Sequence, residues 1–261
     1  MSLVFERAGT GSPLVLIHGL GHRRQGWDAV LPLLTPHREV ITLDLPGHGE
    51  SPPLSAGGKN AISAMADEVA ALLDSLGLSR PHLAGNSLGG GLALILASRG
   101  LAASVTGISP AGFPNHGYQV GYARAFFNVA LFSGKVMRPA VPALARSAAG
   151  RAAFFGLVVA KPGRLTPAQV IGDMAGMAKA GKAVHAVFAS FEPFTFGIPD
   201  DIPVTIAWGA KDRILSPANA RVARSRLPSS RFVSLDGCGH VPMTDDPALI
   251  AKVLLDGSAT A

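Results

Sequence analysis

A serine, an aspartate and a histidine that together can carry out acyl transfer each stand in a glycine-containing loop after a short apolar run. The serine is Ser87, in Gly85-Asn86-Ser87-Leu88-Gly89, a G-x-S-x-G pattern preceded by an apolar strand candidate and followed by an Ala/Leu-rich helix candidate. Small residues on both sides permit a sharp turn from strand to helix, which lifts the hydroxyl into a cleft. Taken alone, the pentapeptide reads equally as a glycine-rich turn whose serine caps the helix, because serine is a favoured N-cap. A nucleophilic serine needs a neighbouring base, and that base must be held in one tautomer by a carboxylate. Asp212, in Gly209-Ala210-Lys211-Asp212, and His240, in Asp236-Gly237-Cys238-Gly239-His240, supply these groups in the chain order Ser, Asp, His.

Other residues compete for the same roles. Asp236, Asp245 and Asp246 are alternative acids; the first belongs to a strand end and the other two look like caps of a helix starting at Pro247, so Asp212 is preferred. His18 and His48 lie in glycine turns after strands and read as hydrogen-bonding residues of those turns, and Asp44 as the residue that holds its loop. Cys238, the single cysteine, reads as a small buried apolar residue rather than a reactive thiol.

These groups need a scaffold, and the hydrophobic pattern supplies one. Strand candidates at 3–7, 14–17, 40–43, 82–85, 104–109, 204–208 and 232–235 alternate with helical stretches. Among the latter, 60–76 carries Ile62, Met65, Val69, Leu72, Leu73 and Leu76 on one stripe, and 27–34 makes a short helix. Steady alternation predicts an α/β fold, a mostly parallel sheet of seven or eight strands covered by helices on both faces. In such a sheet reactive groups collect at the carboxyl ends of the strands, where Ser87, Asp212 and His240 all fall. The rhythm breaks between about 112 and 199, where Pro and Gly divide aromatic and aliphatic clusters into short pieces. We read that segment as an all-helical insertion, with Thr166 capping a helix that begins at Pro167. The expected organisation is a core of 1–111 and 200–261 with a helical cap or lid of 112–199.

Composition bounds the function. A chain of 261 residues with 48% hydrophobic content can fill one large core. The N-terminal residues carry Glu6 and Arg7 where an export signal needs an apolar run, no stretch of eighteen apolar residues exists, and the single cysteine fits a reducing compartment. A cytoplasmic protein without a membrane span is therefore the expectation. No C-x-x-C pair, H-E-x-x-H motif or P-loop supports metal or nucleotide chemistry. The net charge of +6 arises between residues 112 and 200, where nine Lys/Arg face three Asp/Glu against fourteen of each elsewhere. These basic residues are dispersed and accompany no nucleic-acid motif, so they read as a solvated surface; attraction of anionic substrates or an acidic membrane surface is the competing reading.

The motifs His18-Gly19, Asp44-Leu45-Pro46-Gly47-His48-Gly49-Glu50-Ser51, Gly85-Asn86-Ser87-Leu88-Gly89, Gly209-Ala210-Lys211-Asp212 and Gly239-His240, in this order, resemble the α/β-hydrolase fold superfamily in its lidded, esterase- or lipase-like serine branch. The resemblance covers nearly the whole chain, although the insertion matches only by position and helical character, and the chain starts one strand later than many related proteins. It implies Ser87 as nucleophile, His240 as base, Asp212 as orienting acid, the backbone N–H groups of Leu20 and Leu88 as an oxyanion hole, and no cofactor. It implies as substrate a small carboxylic ester or related acyl compound. Carbon–carbon bond hydrolases, lactonases and cofactor-free haloperoxidases use a similar triad, and some relatives of the fold are ligand-binding receptors or inactive scaffolds. Trp27, shortly after the His18-Gly19 loop, reads as a cleft wall or as ordinary packing. Ten of the twelve phenylalanines, Phe113 and Phe126 among them, lie in the insertion and offer apolar walls for the substrate.

Overall fold

A computed structural model describes residues 2–55, 57–58 and 60–259. The apolar runs form β1 (Phe5–Ala8), β2 (Pro13–Ile17), β3 (Glu39–Leu43), β4 (His82–Asn86), β5 (Ser104–Ile108), β6 (Val204–Gly209) and β7 (Arg231–Leu235). They make one sheet of order β1-β3-β2-β4-β5-β6-β7. All pairings are parallel except β1 with β3, where Phe5 opposes Leu43. The glycine turn after β1 therefore does not close a hairpin: β1 sits outside β3, and β2 returns to the interior. The chain winds outward from β2 to β3, then crosses back to β4 and proceeds to β7. Its direction reverses between β2 and β4, so the loops leaving those two strands diverge and open a crevice between them.

The helices are α1 (Leu31–Leu34), α2 (Ala61–Ser75), α3 (Leu88–Ser98), α4 (Tyr118–Val136), α5 (Val141–Leu144), α6 (Ala148–Phe155), α7 (Pro167–Lys179), α8 (Gly181–Ala189), α9 (Ala218–Arg226) and α10 (Pro247–Gly257). Strand periodicity sorts the core into two layers. Val15, Ile17, Ile41, Leu43, Val105 and Ile206 point to the face covered by α2, α3 and α9. Leu14, Leu16, Val40, Ile108, Ala207 and Leu235 point to the face covered by α1 and α10. Burial on both sides explains why the central strands read as continuous apolar runs.

Local chemistry sets the helix ends. Asn60 caps α2, its side chain accepting from the Ile62 N–H at 2.9 Å. Thr166 and Gln169 form a reciprocal capping box at α7, ahead of Pro167 in the first turn. Asp246 caps α10 by accepting from the Leu249 N–H at 3.0 Å. The helix expected over 27–34 is instead a 3-10 turn, Arg24–Trp27, followed by α1, because Pro32 begins a fresh helical turn there.

That division overturns one site expectation. The 3-10 turn directs Trp27 away from the crevice and into the lower core beside Leu14, Leu16, Val30 and Leu34, where it is fully buried. Trp27 is a packing residue, and its Nε1 makes no hydrogen bond.

Between β5 and β6 the chain forms α4 to α8 and no strand. This insertion has its own small core of Val141, Ala145, Val159, Leu165, Val170 and Met174. Phe127, Ala183, Val184 and Val187 join it to the main core above the sheet. Among the described residues, no helix is long and apolar enough to cross a membrane.

The elbow after β4 allows no extra atom at Gly89. A Cβ there would fall far inside contact distance of the Ile17 and His18 carbonyl oxygens, both backbone atoms at the end of β2. At Gly100, whose φ is +77°, a Cβ would meet nothing within 4 Å. We expect Gly89→Ala to cost about 3 kcal/mol and Gly100→Ala about 1 kcal/mol in urea unfolding. Equal costs would refute the crowding argument.

Candidate active site

Ser87 occupies the single residue between β4 and α3, at φ 56° and ψ −119°. A non-glycine residue pays about 1–3 kcal/mol for such a conformation, so the surroundings must over-determine it. They do: the Ser87 N–H donates to the Ile108 carbonyl at 3.0 Å, and the Ser87 carbonyl accepts from Gly91 and Ala111 at 3.0 and 2.9 Å. The side chain makes no cap hydrogen bond to α3, which removes the helix-cap reading of this serine.

Asp212 follows β6 and His240 follows β7, as their places in the sequence predict. His240 Nδ1 lies 2.7 Å from Asp212 Oδ2, with both side chains buried. The other carboxylate oxygen of Asp212 accepts the Ile214 and Leu215 N–H groups at 2.9 and 2.8 Å. A carboxylate held at both oxygens cannot rotate, so it fixes the plane and tautomer of the imidazole and leaves Nε2 free to exchange a proton. Asp236, a competing acid, instead accepts from Ser234 Oγ at 2.7 Å on the surface.

Two further residues support His240, in roles the sequence did not indicate. Asn86, fully buried, donates through Nδ2 to the carbonyls of Ile108 at 3.1 Å and His240 at 2.8 Å, tying the elbow to the histidine loop. Asp245, expected as a helix cap, is a buried clamp. Its carboxylate accepts from Gly239 at 2.8 Å, Ala160 at 2.9 Å and Lys161 at 2.7 Å, and its carbonyl accepts from Lys161 Nζ and Arg164. One carboxylate thus joins the residue before His240 to the insertion.

The loop after β2 brings Leu20 to the serine. A Cβ on Gly19 would lie 3.2 Å from Ser87 Cβ, so the loop passes directly over Ser87. Leu20 and Ser87 line the same cavity, and Leu88 opens α3, where its N–H has no carbonyl four residues back within the helix. The loop is built on charged and ring groups. His18 Nε2 accepts the Leu45 N–H at 2.9 Å and Nδ1 faces the Gly19 carbonyl at 2.7 Å. Asp44, fully buried, accepts from the backbone and guanidinium of Arg24 at 2.7 and 2.5 Å and from the Glu50 N–H at 2.9 Å. Burial opposes the charge on Arg24, but Glu6, Glu50 and Asp44 outweigh it and raise its pKa. Burial, with His48 close by, holds His18 well below the usual imidazole value; burial likewise lowers His48, to about 4. Both rings are neutral structural groups, as their glycine turns suggested. Burial also lifts the Cys238 thiol to about 11, which leaves it protonated at neutral pH.

Two cavities converge on Ser87. The larger, about 580 Å³, is walled by Leu88, Ile95, Phe113, Ala123, Phe188 and Phe194. The smaller, about 80 Å³, is walled by His240, Phe126, Phe154, Phe155 and Met174. Phe113 and Phe126 thus fall at cavity walls, on opposite sides. Phe127 and Ile214 wall both; periodicity cannot reveal this, because it depends on how the insertion docks. His22 and Arg23 approach Asp173 of α7 at 3.5 and 3.0 Å beside the smaller cavity. Burial works against the Asp173 charge, but His22 and Arg23 prevail and lower its pKa. Among the described residues, no group of three or more His, Cys, Asp or Glu is placed to hold a metal ion.

Comparison with known proteins agrees with this fold. Residues 14–253 match the model of the alpha/beta hydrolase family. The chain is 31% identical to a dihydrolipoyllysine-residue acetyltransferase component of an acetoin cleaving system from Pseudomonas putida, over 91% of this chain and 61% of that protein, so it spans less than two thirds of that relative. Among solved structures, a bacterial membrane phospholipase A superposes with a TM-score of 0.75 at 26% identity, covering 99% of this chain and 84% of the other. A thermophilic esterase from Thermogutta terrifontis gives 0.72 at 24% identity, covering 97% and 92%; at that identity the likeness shows the fold alone.

Two outcomes test this scaffold. Asp245→Ala leaves three backbone N–H groups, one buried and two half-buried, without their acceptor, and we expect a loss of about 3 kcal/mol; an unchanged urea midpoint would contradict the clamp. For His48 the folded pKa lies below the unfolded one, so the unfolded chain takes up the proton first as pH falls. Its contribution is intact above pH 6.5 and declines towards pH 4, by about 3 kcal/mol in all. Unfolding free energies measured from pH 7 to pH 4 should therefore fall more steeply for the wild type than for His48→Gln.

Proposed function

The chain belongs to the alpha/beta hydrolase family, and on that premise we propose that it is a serine hydrolase acting on a carboxylic ester or related acyl compound through an acyl-serine intermediate. One observation carries the reading. The buried Asp212–His240 pair faces a cavity that Ser87 shares, and Ser87 is held in a strained turn that its own backbone hydrogen bonds enforce.

In this reading Ser87 Oγ attacks the carbonyl carbon while its proton passes to His240 Nε2. Asp212, fixed by the Ile214 and Leu215 amides, stabilises the imidazolium. The negative charge that develops on the carbonyl oxygen is met by the N–H groups of Leu20 and Leu88, each worth about 3 kcal/mol of transition-state stabilisation. The carbon–oxygen bond to the alcohol then breaks, and the departing oxygen takes the proton from His240. Water repeats the sequence on the acyl-serine, releasing the acid and restoring Ser87. All proton movements use groups of this chain. Residues 112–199 act as a lid that supplies most of the apolar walls over the core of 1–111 and 200–261, with Phe113 and Phe126 among them.

Labelling with a fluorophosphonate probe tests the assignment. The wild type should be labelled, Ser87→Ala unlabelled, and His240→Ala labelled at least a hundredfold more slowly. Undiminished labelling of Ser87→Ala would overturn the choice of nucleophile.

A further inference from the structure

The two cavities meet at Ser87 but are not equivalent, and their chemistry distinguishes them. Leu20, Ser87, Phe127 and Ile214 border both, whereas His240 lines only the smaller one. In acyl transfer the imidazolium that has taken the serine proton must return it to the departing oxygen. The leaving group therefore lies on the side of His240, and the acyl chain lies on the other side.

From this juxtaposition we propose that the site selects esters of a long apolar acid with a short alcohol. The proposal rests on the acyl-serine reading and adds the orientation and size of the substrate.

The volumes carry the selection. The His240 side offers about 80 Å³, well under the roughly 150 Å³ cavity that holds a benzene molecule. A methyl or ethyl group fits there, and an octyl group does not. Phe154, Phe155 and Met174 wall this side, and the half-buried contacts of Asp173 with His22 and Arg23 bind its wall to the loop that carries Leu20. The opposite side offers about 580 Å³, within the usual range for small-molecule sites. Its aliphatic and aromatic lining suits a hydrocarbon chain. Each methylene buried there should raise kcat/KM by about fourfold until the cavity is full.

Overall the reaction consumes one ester and one water and yields one acid and one alcohol. The ester carbon–oxygen bond on the His240 side breaks, and the acyl carbon bonds first to Ser87 Oγ and then to the oxygen of water.

Ethyl octanoate and octyl acetate have the same atoms and comparable hydrophobicity, with the carbonyl moved from one end to the other. We expect purified wild-type protein to hydrolyse ethyl octanoate with a kcat/KM at least tenfold higher. Phe155→Ala, which widens the small side, should narrow that ratio. Ala123→Trp, which fills the large side, should shift the acyl optimum to shorter chains. Equal rates, or faster cleavage of octyl acetate, would overturn the assignment while leaving the serine hydrolase reading intact. Cleavage of neither ester, with Ser87 still labelled by a fluorophosphonate, would overturn the substrate class alone. Cleavage of neither, with labelling unaffected by Ser87→Ala, would remove both the hydrolase reading and this inference.

Discussion

The backbone of the α3 N-terminus touches the backbone at the end of β2, and the geometry of the site depends on that contact. Gly85 and Gly89 have no side chain because each Cβ would collide with main-chain atoms, of the helix start in one case and of Ile17 and His18 in the other. The close approach forces Ser87 into the left-handed region, and it also brings the loop after β2 over the serine. A single steric constraint thus sets both the turn at Ser87 and the loop that carries Leu20. It arises where the winding of the sheet reverses, between β2 and β4, because only there do two adjacent strands send their loops apart.

Buried polar groups then hold what sterics cannot. Asp44 gathers the Arg24 guanidinium and two backbone N–H groups, Asn86 gathers two carbonyls, and Asp245 gathers three backbone N–H groups. An isolated buried carboxylate is strongly unfavourable, so each must be nearly saturated with donors to be tolerated. Saturation has a geometric result: each of these side chains crosslinks segments far apart in sequence at loops that carry reactive residues. His18 and His48 serve the same purpose as neutral rings, held uncharged by burial.

Much of this was legible in the sequence, for a physical reason. Period-two burial, glycine turns and proline or asparagine at helix starts are local signals, and the strands, α2, α7 and α10 follow them closely. Ser87, Asp212 and His240 were legible because each follows a strand and the fold gathers strand ends at one edge. The sequence left Trp27 open between a cleft wall and packing, since its direction depends on a 3-10 turn that the sequence shows only as a short helix. Asp245 was read as a cap because it stands beside the true cap, Asp246; its partners Ala160 and Lys161 lie in the insertion, more than eighty residues away. Phe127, on α4, and Ile214, after β6, wall both cavities because of how the insertion docks on the core, and no local pattern encodes that docking.

The insertion is therefore not an independent cover. Buried or half-buried polar contacts bind it, among other places, to the histidine loop through Asp245, to the loop after β2 through Asp173, and to the start of α2 through Asn60 Nδ2, which donates to the Ser190 carbonyl at 2.6 Å. Two of these attachments are to the loops that position His240 and Leu20. A change in the seat of the insertion must consequently reach those loops, because the carboxylates involved have no spare freedom to absorb it. The walls of the cavities and the reactive groups between them share one set of crosslinks. In this chain the insertion's packing and the alignment of Asp212 and His240 are coupled through named bonds rather than through proximity alone.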